Sequence, residues 1–507
     1  MPAESTSRPA VVLVADRTLS ANYRVLLEGM FATMQTTTAP AFLMRRLLAP
    51  KVRVDSAGRA ATAPIALRRI ESALLAGAGL APRDVVVTTP EALASLLGPW
   101  VKVVGVSSSD PLGCGMSNTT TSSFWQGELY TRLWTRTMMQ QLVGAKSRFG
   151  FRVLAGGAGA WQWLAHPDEA AAQGVDTVFQ GWFEDAGPAA FANALAGQAL
   201  PQAIHSHRTA VENIRPIRGL SSMGLIELSR GCGKACQFCL SGSTPMAHLP
   251  VETIVADLAF NVAGGMTTAV AGCEDFFRYG STGANVNFDA LHKLLTAMHA
   301  VEGVSFIQLD HANISSVSQL TDEQLRETRR LLTRPRTGEY LWLNMGIESG
   351  SGALVAANAP GKLGSCRPED WGDLVEQTAE RMRTAGFFPV FSLILGLPGE
   401  TPADVAATLA LVRRLAQQPV VIFQIFHEPF RAGAGEPFAV PDMRADHLEL
   451  YTTCYELNFR NVPAMFADNQ RAGGVSWCKR TLVQLLGRGE IHAWRKNFQQ
   501  IAQRQSP

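Results

Sequence analysis

The chain has no histidine before position 166, and no stretch of its 507 residues approaches the roughly 20 apolar residues that a membrane-spanning helix needs. The opening residues, MPAESTSRPA, contain neither a basic segment nor an apolar one, so no secretion signal is expected. Charge of one sign is also lacking: 45 Lys and Arg face 43 Asp and Glu, a formal +2. That balance offers no general attraction to nucleic acid or to an anionic membrane. Eight cysteines in so long a chain make no disulfide scaffold. No Gly-x-Gly-x-x-Gly follows the first apolar run, which disfavours a dinucleotide-binding turn. These gaps leave a cytoplasmic protein acting on a small-molecule substrate, with no nucleic acid and no membrane as partner.

What is present is alternation. Short apolar runs at VVLVAD (11–16), VVVTTP (85–90), VKVVGVSSS (101–109), RVLAGG (152–157) and DTVFQGW (176–182) are separated by amphipathic stretches such as ALRRIESALLAGAG (66–79). Several runs end in Gly, Ser or Asp, as parallel strands do where their C-terminal loops line a ligand site. This predicts a Rossmann-like α/β domain over 1–205. The segment 200–222 has little periodicity and reads as a linker. Six further runs follow: GLIELSRG (224–231), TTAVAGCED (267–275), VSFIQLDHAN (304–313), YLWLNMGIES (340–349), FPVFSLILGL (388–397) and VVIFQIFHE (420–428). Helix-like segments such as VETIVADLAFNVA and DEQLRETRRLL separate them, so a partial (β/α)6 barrel is expected over 206–430. Residues 431–507 read as a mainly helical cap.

Three of the eight cysteines fall within eight positions, in ELSRGCGKACQFCLSGS (227–243). Cys232, Cys236 and Cys239 have the i, i+4, i+7 spacing of one helix face, and cysteine packs as a small apolar residue. Gly231 and Gly233 beside the first thiol, and the apolar run just before it, favour a loop at a strand end. Zinc is a rival, with Cys273 as fourth ligand, but structural zinc closes all four positions with paired cysteines. Three thiolates suit a cubane iron–sulfur cluster, each holding one iron and leaving a fourth open. Cys114, Cys366, Cys454 and Cys478 have no ligand-like spacing and are read as structural.

With Phe238 before the last cysteine, this loop resembles the signature of the radical S-adenosylmethionine superfamily. MGIESGS (345–351) is similar to the family's fourth-strand segment, and PGK (360–362) and GLPGET (396–401) resemble landmarks of one subgroup. The resemblance implies a [4Fe-4S] cluster on the three cysteines. It implies S-adenosylmethionine near Phe238, Glu348, Ser349, Ser351 and Gly396, with Gly399 shaping a nearby loop. SSSDPLGCG (107–115), GGAGA (156–160) and ADRTLSANY (15–23) resemble loops of the cobalamin-dependent members, implying a corrin near Ser108, Asp110, Leu112, Gly113, Gly156 and Gly157. A nucleotide-binding or purely structural Rossmann domain is the alternative.

The Asp-x-His-x-x-Gly motif by which many cobalamin proteins ligate cobalt is missing. In the thiopeptide tryptophan 2-C-methyltransferases an arginine takes the corrin's lower face; Arg68 or Arg69 matches it here. In the same enzymes a glutamate on the second barrel strand ligates the open iron. Glu274 matches that place, with Asp275 as the second choice. A glutamate there blocks bidentate binding of S-adenosylmethionine. The methyl group then passes through methylcobalamin to a nucleophilic carbon such as indole C2, and an electron donor must keep cobalamin reduced. Asp310 and His311, ending the third strand, are candidate acid–base residues. Tyr451 and Tyr455 are weaker candidates. Two other functions stay open: radical methylation of an unactivated carbon or a phosphinate phosphorus, and a non-enzymatic cobalamin sensor or zinc-stabilised scaffold.

Overall fold

Valine-rich runs buried on both faces require layers on each side of a sheet. In the computed structural model, which describes residues 8–334, 338–430 and 435–505, six such strands lie side by side. They are β1 (Val11–Ala15), β2 (Val85–Thr88), β3 (Val103–Ser107), β4 (Arg152–Gly156), β5 (Thr177–Gln180) and β6 (Ala203–His205). Their order is β2-β1-β3-β4-β5-β6, every neighbouring pair parallel. Alternate residues serve opposite cores. Val12, Val14, Val104 and Val106 pack with Met138, Met139, Leu142 and Trp163. Val11, Leu13 and Val103 pack with Leu67, Leu74 and Phe191. In a doubly wound sheet of this order the strand sequence reverses between β1 and β3, and ligands bind at the carboxyl tips beside that switch point.

Two boundaries differ from the sequence reading. The segment read as a linker supplies β6, with Val178 in register with Ala203, and buries Ile214 and Ile217. A three-residue edge strand is too short to show alternation. The helix Val251–Ala263, expected in the barrel, belongs by its contacts to the first compact unit, which comprises residues up to Ile226 and Leu249–Met266. Asp257 explains why: fully buried, it accepts from the Ile217 N–H at 2.9 Å and from Arg69 at 2.5 Å. Asn261 adds bonds to the Ser221 N–H and hydroxyl, each at 3.0 Å.

The second unit comprises Glu227–His248 and the chain from Thr267 onward. The chain reaches it through β7 (Leu225–Glu227); β8 (Ser229–Arg230) and β9 (Ala247–His248) then pair antiparallel, clasping the base of the three-cysteine loop. β10 (Thr268–Gly272) and β11 (Phe306–Leu309) pair in parallel, and Leu228 donates to Gly272 O at 3.0 Å. Asp310 interrupts the third barrel run. Beyond it β12 (His311–Ala312), β13 (Leu341–Glu348), β14 (Phe387–Leu395) and β15 (Val421–Phe426) continue in chain order, all parallel. All six expected barrel runs therefore contribute strands.

Two long helices, Ala445–Ala472 and Trp477–Gln505, follow. The first protects the open edge of β15. Asn458 accepts from the Ile422 N–H at 2.8 Å and donates to Ile422 O at 2.7 Å, replacing a missing strand. Among the described residues no helix is long and apolar enough to cross a membrane. Replacing Asn458 with Leu strips both Ile422 groups of their partner in a buried place, so the urea midpoint should fall by the equivalent of about 1–3 kcal/mol. An unchanged midpoint would show that water replaces the amide.

Candidate functional site

The three-cysteine loop is a run of tight turns, not a helix face. Gly231 and Gly233 have φ of 79° and 68°, and Ala235 has φ of 56°. A Cβ on Gly231 would lie 2.7 Å from Pro245 O, so glycine is required there. The Cys232 N–H donates to Thr244 O at 3.0 Å and the Ala235 N–H to Gly242 O at 2.8 Å, folding the loop back on itself. Cys236 is buried; Cys232 and Cys239 are half-buried. Burial pushes the Cys232 thiol up, and Cys236 up to about 12, while Lys362 pulls both down.

Among the described residues no three His, Cys, Asp or Glu side chains converge as the ligands of one metal ion must. Cys273 is buried apart, with burial and then Asp310, Glu274 and Asp275 holding its thiol protonated. A cubane makes a different demand, one thiolate at each of three corners.

Two adjacent carboxylates follow β10 and divide the work. Asp275 is fully committed: Oδ2 accepts from Ser316 Oγ at 2.7 Å and Oδ1 from the Asn313 N–H at 3.2 Å. Glu274 is held by the backbone N–H of Gly231, next to Cys232, and burial raises its pKa. Its Oε2 is buried without a partner. A donor set of three thiols and one unspent carboxylate oxygen fits a cluster with one open iron.

Cations surround the loop. Arg278 donates to Cys232 O at 2.7 Å, and Lys234 Nζ, buried, to Ser315 Oγ at 3.0 Å. Lys362 pairs with Glu348 and donates to Gly346 O at 3.2 Å. Glu348 itself has φ of 60°, where the β13–β14 register shifts between Gly346 and Glu348. A non-glycine residue held there is strained, and the shift re-aims its side chain. Sequence reading found Lys362 only as part of the PGK landmark and assigned it no role.

Other expected contacts are already spent within the protein. Ser349 Oγ pairs with Thr408 Oγ1 at 2.9 Å, and Ser351 Oγ caps the helix Gly352–Asn358 by accepting from the Leu354 N–H at 3.3 Å. Gly396, at φ of 78°, leaves room for Phe438, whose ring a Cβ would meet at 2.3 Å. Gly399, at φ of 85°, has open space beside it. Phe238 and Tyr451 are buried, and the half-buried Tyr455 stacks on Tyr451 in an aromatic cluster.

Asp310 and His311 do stand together. His311 Nδ1 lies 2.9 Å from Asp310 Oδ1, and Nε2 accepts from Asn344 Nδ2 at 2.9 Å. The His311 side chain is 44% exposed. Burial disfavours the imidazolium, but Asp310 outweighs it and pushes the His311 pKa up, with Glu274 adding to the effect and Lys362 opposing it. Thiols, Glu274, the Lys362–Glu348 pair and the Asp310–His311 dyad therefore share one neighbourhood of the second unit.

In the first unit the tips of β1 and β3 are locked by buried carboxylates. Asp16 accepts from the Thr18 N–H at 2.9 Å and Ser108 Oγ at 3.2 Å. Asp110 accepts from the Gly115 N–H at 3.0 Å, from Asn118 and from Gln162, whose Oε1 takes the Leu112 N–H at 2.8 Å. Gly113 and Gly157 have φ of 77° and 97°, and Gly156 closes β4. A Cβ on Gly157 would meet Ser108 O at 2.6 Å. These tips present backbone and small side chains, as close approach of a flat macrocycle demands.

Arg68 and Arg69 are both engaged within the first unit. Both are buried; Arg68 donates to Leu220 O, Glu71 and Ala60 O at 2.9–3.0 Å, and Arg69 to Arg215 O and Asp257. Both guanidiniums thus help hold the first unit together.

No family model matches the chain. By sequence it is similar to the ribosomal protein uS12 methylthiotransferase RimO of Anaeromyxobacter sp. (strain Fw109-5), 27% identical over 48% of this chain and 48% of that one. It is also similar to the threonylcarbamoyladenosine tRNA methylthiotransferase of Danio rerio, 26% identical over 45% of this chain and 39% of that one. The chain thus matches about half the length, or less, of these curated relatives. By fold it resembles the radical S-adenosylmethionine methyltransferase TsrM from Kitasatospora setae with cobalamin and [4Fe-4S] cluster bound. The TM-score is 0.53 at 14% identity, covering 82% of this chain and 72% of that one. With tryptophan substrate and a SAM analog (aza-SAM) bound, TsrM gives 0.54 at 13% identity, covering 83% and 75%. At such identity the likeness is one of fold. The sequence likenesses are to methylthiotransferases and the fold likeness is to a methyltransferase, and together they leave the acceptor open.

Asp16 offers a check on the strand-tip lock. Burial, partly offset by Thr18 and Ser108, raises its pKa from 3.8 to about 6. The folded state therefore holds this proton more tightly than the unfolded one, and stability from this group declines as pH rises from 4 to 6. The stability difference between wild type and Asp16→Asn should change across that window and be flat above it, read by urea unfolding at stepped pH.

Proposed function

We propose that the chain is a cobalamin-dependent methyltransferase of the radical S-adenosylmethionine type. Cys232, Cys236 and Cys239 hold a [4Fe-4S] cluster, and the β1 and β3 tips with Ser108, Asp110, Leu112, Gly113, Gly156 and Gly157 receive cobalamin. Its best acceptor is a nucleophilic carbon of a small metabolite, with C2 of L-tryptophan put first. When bound, the cofactors supply a methyl group that moves from S-adenosylmethionine by way of cobalt to carbon.

The observation that carries this reading is the unpartnered, buried Oε2 of Glu274 beside the thiol loop. Asp275 is saturated and is set aside as the fourth ligand. Glu274 would hold the remaining iron, and a site so filled would favour polar methyl transfer over homolytic cleavage. Glu348, aimed by its strained backbone, is the anionic anchor for the cationic cosubstrate. His311, with Asp310 on Nδ1, accepts the proton that leaves the methylated carbon once Asn344 yields Nε2. Neither Arg68 nor Arg69 is assigned to cobalt, since both are engaged elsewhere. A methylthio transfer, the reaction of the sequence relatives, must also supply sulfur. Cys114, Cys366, Cys454 and Cys478 of this sequence are widely spaced.

Anaerobic reconstitution with iron, sulfide, hydroxocobalamin and S-adenosylmethionine should give about four irons per chain, lost on Cys236→Ala. Zinc alone in the purified protein would support the scaffold alternative instead. Offered free tryptophan and a panel of other acceptors, the loaded enzyme should raise tryptophan by one methyl in the mass spectrum. Methylation of a different acceptor would remove tryptophan and leave the class intact. Wild type should release no 5′-deoxyadenosine in proportion to product, whereas Glu274→Ala should begin to. Stoichiometric 5′-deoxyadenosine from wild type would falsify the polar route.

A further inference from the structure

We propose that Lys362 is an electrostatic positioning residue that, through its pairing with Glu348 beside the three-cysteine loop, raises the electron affinity of the cluster the loop carries. This rests on the cluster reading of Cys232, Cys236 and Cys239. The short helix Pro360–Leu363 is pressed against that loop: a Cβ on Gly361 would lie 2.4 Å from Lys234 O. Gln237 ties the two together, its N–H donating to Asn358 O at 2.9 Å and its side chain to Ala357 O at 3.2 Å. Lys362 is thereby turned inward, onto Glu348 and Gly346 O, with only 13% of its side chain exposed. Its charge is felt at both Cys232 and Cys236. Burial works against that charge, but Glu348 and the thiols outweigh it.

Reduction adds one electron to the cluster, drawn here from dithionite. A nearby cation stabilises the reduced form and a nearby anion the oxidised one, and a low-dielectric setting magnifies both. Lys362 and Glu348 sit at one place with opposite signs, so removing each must move the potential in opposite directions. A pair that merely held the fold would produce no such antisymmetry. A cluster made easier to reduce is also a weaker reductant once reduced, which accords with methyl transfer that avoids cleaving the cosubstrate to a radical.

The test is a dithionite titration of the anaerobically reconstituted full chain, with mediators, followed by the electron paramagnetic resonance of the reduced cluster. Lys362→Met should lower the reduced-to-oxidised ratio at fixed potential about tenfold, a shift of about 59 mV to the negative for a one-electron couple. Glu348→Gln should shift it positively, and the double substitution should return towards wild type. Should Lys362→Met fail to fold, Glu348→Gln carries the sign test alone. Shifts of the same sign, or none, overturn the proposal while leaving the cluster in place. A wild-type chain that binds no iron and sulfide overturns the cluster reading itself.

Discussion

Clustered thiols in a low-dielectric place keep their protons unless positive charge is brought to them, and the second unit is arranged around that requirement. Lys234, Arg278 and Lys362 come from three separate elements, the loop itself, the turn after β10 and the helix after β13, and all act on one short segment. Each needs a local anchor to stay buried. Ser315 holds the first, backbone carbonyls the second, and Glu348 the third. The strain at Glu348 belongs to this arrangement. A backbone position that costs about 1–3 kcal/mol persists only where surrounding structure over-determines it, and here an ion pair and a strand-register shift both do so.

The first unit solves a different problem. Its strand order puts a switch point between β1 and β3, and the loops there are made rigid by carboxylates turned inward onto backbone N–H groups. Polar side chains are consumed in shaping the tips. Ser107 and Ser108 are buried with them, while Gly157 at the end of β4 stays exposed.

The strands of both units could be read from the sequence because each is an unbroken apolar run bounded by small or acidic residues. The loop could be read because three thiols at fixed spacing have few explanations. The rest depends on partners distant in the chain. Nothing local to Asp275 says that Ser316 and Asn313 satisfy it, so its separation from Glu274 became visible only in three dimensions. Arg68 and Arg69 match a motif, but their partners at Leu220, Arg215 and Asp257 lie 152, 146 and 188 residues away. Lys362 belongs to the PGK landmark, but its pairing with Glu348 and Gly346 O is not legible there, since a lone lysine after a proline and a glycine carries no periodic signal. The edge strand β6 escaped for the same reason that short strands usually do.

The returning helix Val251–Ala263 has a consequence for the order of biosynthesis. Asp257 and Asn261 complete the bonding of Arg69, Ile217 and Ser221, so the first unit is not a contiguous stretch of chain. A nascent polypeptide emerging from the ribosome must extrude the cysteine loop before the preceding sheet can acquire its last helix. The loop is thus threaded through an intermediate in which its neighbours on both sides are already seeking one another. Closure of the amino-terminal unit therefore waits until the cysteine loop has left the ribosome.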